Sequence, residues 1–274
     1  MSPGPTISFL SDYGLADEFV GVCHGVIARL CPEAKVIDLS HGVPRHGVLA
    51  GALALRSALP FTPPGVCLAV VDPEVGARRR AVALRTADEH RLLVGPDNGL
   101  LLPAAEHFGG VIEAVDVSAS RWRLEPVSAT FHGRDLFAPV AAGLAAGSPL
   151  GEAGTFCDPA ELVTLELPVA RREQDGTVVA HVLRADGFGN LQLDVGHEQL
   201  GGWGLRLGHR VQVAEAPQEA ALYARTFADV EPGRLLIYED PGRSLSIALN
   251  SGDAARALGL SPGDEVRLRP LPQP

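Results

Sequence analysis

The stretch Val66-Cys-Leu-Ala-Val-Val71 constrains this chain more than any other segment. It is a continuous apolar run, preceded by Pro63-Pro-Gly65 and cut off by Asp72-Pro73. A strand with one wet face alternates apolar and polar residues. A strand that is apolar throughout is covered on both faces, as in a parallel sheet flanked by helices. The neighbouring segments keep the same rhythm: Ile7–Leu10, Val36–Leu39, Ala81–Arg85, Arg91–Val94 and Val111–Val117 read as further strands. Helical spacing runs through Phe19, Cys23, Val26, Ile27 and Leu30, behind Asp17 as a suitable N-cap. It recurs over Gly47–Leu59, Gly99–His107 and Arg134–Ala146. This alternation predicts a layered α/β domain with a largely parallel sheet.

After Gly147 the pattern changes. Ser148-Pro-Leu-Gly151 and Cys157-Asp-Pro-Ala160 read as a linker. Beyond it come short β-patterned runs at Val178–Leu183, Leu191–Val195, Arg210–Ala214, Leu235–Tyr238, Leu245–Leu249 and Val266–Arg269. Turn residues separate them and helix is scarce, which predicts a smaller antiparallel β-barrel-like domain. The expected division of the 274 residues is 1–155 and 165–274, with the boundary between 150 and 165.

A formal charge of -10 argues against nucleic acid or an anionic membrane as partner, because phosphate binding needs basic surface. Cys23, Cys31, Cys67 and Cys157 lie far apart, in apolar or small-residue surroundings and without ligand spacing. They read as free thiols of a reducing cytoplasm. The N-terminal apolar run Thr6–Leu10 is too short for a secretory core, and no stretch approaches the roughly 18 apolar residues of a membrane span.

In parallel α/β sheets, ligands bind beyond the carboxyl ends of the strands. Three polar segments fall at such ends: Ser11-Asp-Tyr-Gly14, Asp72-Pro-Glu-Val-Gly-Ala-Arg-Arg79 and Gly95-Pro-Asp-Asn-Gly99. A fourth, Thr130-Phe-His-Gly-Arg-Asp135, opens a helix. Any one of them alone would be an ordinary turn or cap; four in one domain point to a site. No GxGxxG follows the first strand, and GxxxxGK[ST] and GxSxG are absent, which disfavours dinucleotide, P-loop and esterase chemistry. His132-Gly-Arg-Asp135 echoes a kinase catalytic loop without that fold's glycine loop or lysine. His41 and His46 are separated by Pro44, which argues against a helical zinc motif, and no metal site is expected.

Taken together, these segments resemble one family, the S-adenosyl-L-methionine (SAM) hydroxide adenosyltransferases, relatives of the bacterial fluorinase and chlorinase. The family's [ST]D[FY]G is matched by Ser11–Gly14, and its VVDPxVGxxRR by Val70–Arg80, with Glu74 where glycine is usual. GPDNGLL is matched by Gly95–Leu101, TFHGRDxFAP by Thr130–Pro139, and DxFGN by Asp186–Asn190. The resemblance covers nearly the whole chain in order. It implies an α/β domain followed by a β-barrel-like domain, a homotrimer with active sites between neighbouring subunits, and no resident cofactor, SAM being the substrate.

The resemblance assigns water handling to Asp72, Arg79 and His132. An aspartate can orient or deprotonate water. An arginine stays charged and stabilises developing hydroxide. A histidine, with an ordinary pKa of about 6.5, can take a proton or orient the carboxylate. Between Asp72 and His132 the base is left open. The same carry-over gives Asp12 the ribose hydroxyls, Asn190 the adenine edge, Phe188 a stacking face and Asp186 the methionine ammonium. Relatives place Ser-Ser or Ser-Arg where this chain has Pro241-Gly242, so Arg243 becomes the candidate carboxylate clamp. Ser251 completes the expected substrate-binding set. The implied reaction is attack of water on the ribose C5′ of SAM, giving adenosine and methionine, with the non-natural sulfonium epimer as a candidate substrate. The rivals are a halogenase, disfavoured by Asp72 where halogenases carry tyrosine, and a SAM or adenosine binder without turnover.

Overall fold

A computed structural model describes residues 4–272. They form two compact units, one running to Leu165 and the other beginning at Glu166.

The first unit is a seven-stranded sheet of order β2-β1-β3-β5-β4-β6-β7. Its strands are β1 (Thr6–Ser11), β2 (Lys35–Ser40), β3 (Val66–Val70), β4 (Ala81–Thr86), β5 (Leu92–Pro96), β6 (Val111–Asp116) and β7 (Thr155–Cys157). Strands β2, β1, β3 and β5 are parallel; β4, β6 and β7 add on antiparallel to their neighbours. Helices α1 (Phe19–Leu30) and α4 (Ala138–Ala145) pack together, as do α2 (Val48–Ala58) and α3 (Leu102–His107).

The apolar run that opened the sequence reading becomes β3, and its side chains divide by parity. Val66, Leu68 and Val70 enter a core with residues of α1 and α4, whereas Cys67, Ala69 and Val71 enter a second core with residues of α2 and α3. A polar residue at any of these positions would meet one core or the other, which is why the run contains none.

In the second unit, strands β9 (Val178–Ala185), β10 (Leu191–Gly196), β11 (Arg210–Val213), β12 (Ala220–Tyr223), β13 (Leu235–Glu239), β14 (Ser244–Leu249) and β15 (Glu265–Pro270) form a ring. The order β10-β14-β13-β12-β11-β15-β9 closes through β9–β10, with β8 (Arg171–Arg172) appended to β9. All pairings are antiparallel except β12–β13. Alternate residues such as Val178, Ala180 and Val182, or Leu191, Leu193 and Val195, fill the interior. Closure leaves those seven strands without a free edge. Two short helices, α5 (His197–Leu200) and α6 (Ala254–Leu258), complete the unit.

Three local expectations are corrected. Asp17 caps nothing: α1 begins after Glu18, which is itself helical in φ and ψ and makes no side-chain cap. Gly99 does not start a helix, because its φ of +89° is left-handed and α3 begins at Leu102. The helix read from Arg134 opens as a π-helical turn at Gly133–Phe137 before continuing as α4.

Candidate active site

The carboxyl ends of β1, β3 and β5 lie side by side, and the three polar segments leave the sheet there. Asp72 follows β3 directly. The loop after it reverses at Gly76, whose φ is +77°, and an added Cβ there would overlap the carbonyl of Ala129. That reversal returns Arg79 to Asp72. Arg79 Nε donates to both carboxylate oxygens, at 2.9 and 3.1 Å, and Nη2 donates to Oδ2 as well. The two side chains are only 4% and 5% exposed. The guanidinium lies 5.2 Å from the centroid of the Phe137 ring.

His132 completes the group. Its Nδ1 is 2.8 Å from Arg79 Nη2. Arginine has no acceptor, so Nδ1 must accept, and the neutral ring then carries its proton on Nε2. Burial, and after it the positive charge of Arg79, holds the His132 pKa below its ordinary value. The structure therefore brings Asp72, Arg79 and His132 into one contiguous set.

Asp12 lies on the next strand end, its Oδ2 accepting from His46 N at 2.9 Å. Tyr13 packs against Gly133 so closely that a Cβ on Gly133 would strike the phenol oxygen. Its ring makes edge contacts with Phe131 and a tilted one with Phe19. Burial, with smaller contributions from Cys23, Asp12 and Asp72, pushes the Tyr13 pKa well up, so the phenol stays neutral. Other parts of the motifs serve architecture. Asp97 accepts from Arg80 Nε and Val163 N, both at 2.9 Å, and Asn98 Nδ2 donates to Val71 O at 2.9 Å. Asp135 accepts from Ser128 N at 2.8 Å and from Arg134.

In the second unit, Asp186–Asn190 is the tight turn between β9 and β10. Asp186 Oδ1 accepts from Phe188 N and Asn190 N, each at 2.9 Å, and its Oδ2 accepts from Asn190 Nδ2 at 2.8 Å. Asn190 is buried and Phe188 projects with 80% of its surface exposed. Gly189 sits against Asp253, the N-cap of α6, where no side chain would fit. Ser251, with φ at 59°, follows β14 at this same end, and its Oγ donates to Asn250 Oδ1 at 3.3 Å.

Arg243 lies elsewhere. The ladder pairs Leu191 with Ile247 and Gly196 with Ser244, so Arg243 belongs at the opposite end of β10 and β14 from the Asp186–Asn190 turn. Its φ is 61°, and its exposed guanidinium lies 3.5 Å from Glu239. The structure groups Asp186, Asn190 and Ser251 and sets Arg243 apart from them.

Residues 7–154 match the family described as the SAM hydroxide adenosyltransferase N-terminal domain, and residues 180–267 match the corresponding C-terminal domain. The chain belongs to the SAM hydroxide adenosyltransferase family. It is 50% identical to the (R)-S-adenosyl-L-methionine hydrolase of Salinispora tropica, over 98% of this chain and 99% of that protein. It is 28% identical to a fluorinase of Nocardia brasiliensis, with 97% of each chain covered. A conserved protein of Thermotoga maritima described as uncharacterized has the same fold, with a TM-score of 0.87 and 34% identity over 96% of this chain and 99% of that one.

The sequence motifs contain Asp72, Arg79 and His132 but do not show what frames them. Tyr13 and Phe137 were quoted only as motif letters, yet one fills the space beside Gly133 and the other underlies Arg79. In the second unit, Asp240 lies outside every motif. It accepts from Gln192 Nε2 at 2.8 Å and Ser246 Oγ at 3.2 Å, a cross-strand cluster that no spacing rule signals.

Proposed function

We propose that this protein hydrolyses SAM, with preference for the (R) sulfonium epimer named in its relatives, to adenosine and L-methionine. The observation that carries the reading is the contiguous Asp72–Arg79–His132 set at the carboxyl end of β3, its ion pair buried. Methionine leaves a sulfonium as a neutral thioether, so its departure needs no general acid. Catalysis reduces to holding a water in line with C5′ and removing its proton. A C5′–O bond forms, the C5′–S pair goes to sulfur, and one proton goes to the base and then to solvent.

The His132 tautomer favours Asp72 over His132 as the base. With Nδ1 committed to Arg79, His132 offers Nε2–H, a donor that orients the water oxygen. Asp72 offers carboxylate lone pairs beyond those taken by Arg79 and is the proton acceptor. Arg79 fixes the carboxylate geometry and supplies positive charge where hydroxide develops. The same carboxylate would repel a halide, which supports water as the nucleophile. Asp12 serves the ribose hydroxyls, Asn190 the adenine edge, with Ser251 beside it, and Phe188 the adenine face. Asp186 holds the Asn190 amide in place, in addition to the ammonium role implied for it. The ammonium and carboxylate of methionine share one carbon, so Arg243, at the far end of the ladder from Asp186, is an alternative anchor for the amino-acid end of the substrate and not a joint one. We place the active protein in the cytoplasm as a homotrimer.

The test is incubation of purified protein with each sulfonium epimer, with and without chloride, following adenosine and methionine by chromatography. Stoichiometric products from the (R) epimer, independent of chloride, support the reading. 5′-Chloroadenosine would make the protein a halogenase, and adenosine binding without turnover would make it a binding protein. An unchanged KM in Arg243→Ala would remove the clamp.

A further inference from the structure

His24, Asp38 and His41 belong neither to the Asp72 set nor to the motifs that define it. His24 lies on α1, Asp38 on β2, and His41 just past the end of β2. The Nε2 atoms of both histidines approach the same oxygen, Asp38 Oδ1, at 2.9 and 3.1 Å. One ligand atom from each of the three falls within 4.8 Å of the others.

The arrangement is poorly satisfied as a hydrogen-bond cluster. The His41 side chain is 2% exposed, and its Nε2, although close to Asp38, has no partner in hydrogen-bonding geometry. Its Nδ1 is 2.8 Å from the buried Ser11 Oγ. If Nδ1–H donates to Ser11, the Nε2 lone pair faces the carboxylate lone pairs and repels them. In the other tautomer, Nε2–H points out of line with Asp38 Oδ1. Either way a buried polar atom is left wanting, which is costly in a protein interior. A cation placed among the three atoms removes the conflict. A ligating histidine fixed by a hydrogen bond through its other ring nitrogen is the usual second-sphere arrangement of a metal site. Phe9 walls the inner side, its ring 4.6 Å from His41 and 6.0 Å from His24, while His24 and Asp38 remain accessible to solvent.

We propose that His24, Asp38 and His41 bind a divalent transition-metal ion such as Zn2+, with water filling the remaining positions. Two imidazoles and one carboxylate suit zinc, cobalt or nickel; magnesium and calcium take oxygen ligands. The ion is structural. It ties α1 to β2, and through His41 it reaches the loop that carries Asp12: His41 O accepts from Gly14 N at 2.8 Å, and Ser11 Oγ accepts from Tyr13 N at 3.3 Å.

The test is calorimetric titration of the chelator-treated full chain with Zn2+, with Co2+ absorption as a spectroscopic reporter and thermal melts in each metal. The expected result is one Zn2+ per chain, a higher melting temperature with metal, and loss of both effects in His24→Ala and Asp38→Ala. These two side chains are solvent-accessible, so an unchanged metal-free melting temperature in the variants will show that they fold. Ser11→Ala, which removes the support of His41 together with the longer contact to Tyr13 N, is expected to weaken binding about 10–100-fold. Absence of saturable Zn2+ binding by the wild type overturns the proposal, and so does binding of equal strength in His24→Ala. Mg2+ binding as tight as Zn2+ binding would overturn the assigned ligand chemistry.

Discussion

Asp72 and Arg79 are buried against one another, so substitutions at the pair differ in what they disturb. Removing one partner of a buried pair leaves an uncompensated charge and costs about 3–5 kcal/mol. Arg79→Ala is therefore expected to lower stability by that order as well as activity, seen as a shift of the denaturant midpoint. Asp72→Asn keeps the shape and one acceptor oxygen but loses the base. It is expected to reduce kcat by about 10²–10⁴-fold, the usual worth of a positioned base, with a smaller loss of stability than Arg79→Ala. A kcat within threefold of wild type would remove Asp72 from the mechanism. His132 makes a prediction about pH. Burial and the Arg79 charge lower its pKa, so its neutral, water-orienting form persists to more acid pH than in a free imidazole. The acid limb of kcat/KM is expected below about pH 6.5, with a plateau above it. Activity that instead falls as the pH rises through this range would mean that protonated His132 is the active form.

At the scale of elements, the Asp72–Arg79 loop depends on Gly76. Its left-handed φ and its contact with the Ala129 carbonyl leave no room for a side chain. Gly76→Ala is expected to destabilise the first unit by about 1–3 kcal/mol and to lower kcat by displacing Arg79, measured by melting and by steady-state kinetics. A wild-type melting temperature would show that the loop yields at no cost. The long elements were legible because burial imposes a period. β3 is apolar at every position since both of its faces are covered, and β10 alternates, with Leu191, Leu193 and Val195 inward and Gln192 and Asp194 between them, since only one face lines the barrel. β7, β8 and β12, of two to four residues, are too short to show a period and exist through their pairing, β7 with β6, β8 with β9 and β12 with β11 and β13. The Asp72 set was legible as a long motif. How its members face one another was not, because the turn at Gly76 and the packing of Arg79 on Phe137 decide it. The His24–Asp38–His41 cluster was invisible for a related reason: its members are joined by the packing of α1 against the sheet, and reading along the chain paired His41 with His46 instead.

For the whole molecule, single copies leave large apolar side chains in water beside residues given functional roles. Leu15, in the loop after Asp12, is 78% exposed, and Phe188, beside Asn190, is 80% exposed. Exposed apolar groups at such positions mark surfaces that a ligand or a partner covers. The proposed homotrimer supplies the partner, a second copy of the chain, without needing any other protein. Light scattering is expected to give three times the 28.7 kDa chain mass. Leu15→Asp adds a charge where no packing within the described residues is lost. It is expected to shift the population toward smaller species and to reduce SAM hydrolysis in parallel, with the melting of isolated chains little changed. If the wild type instead sediments as a monomer with full activity, each chain must assemble a complete site alone, and Leu15 and Phe188 then belong to substrate coverage and not to assembly.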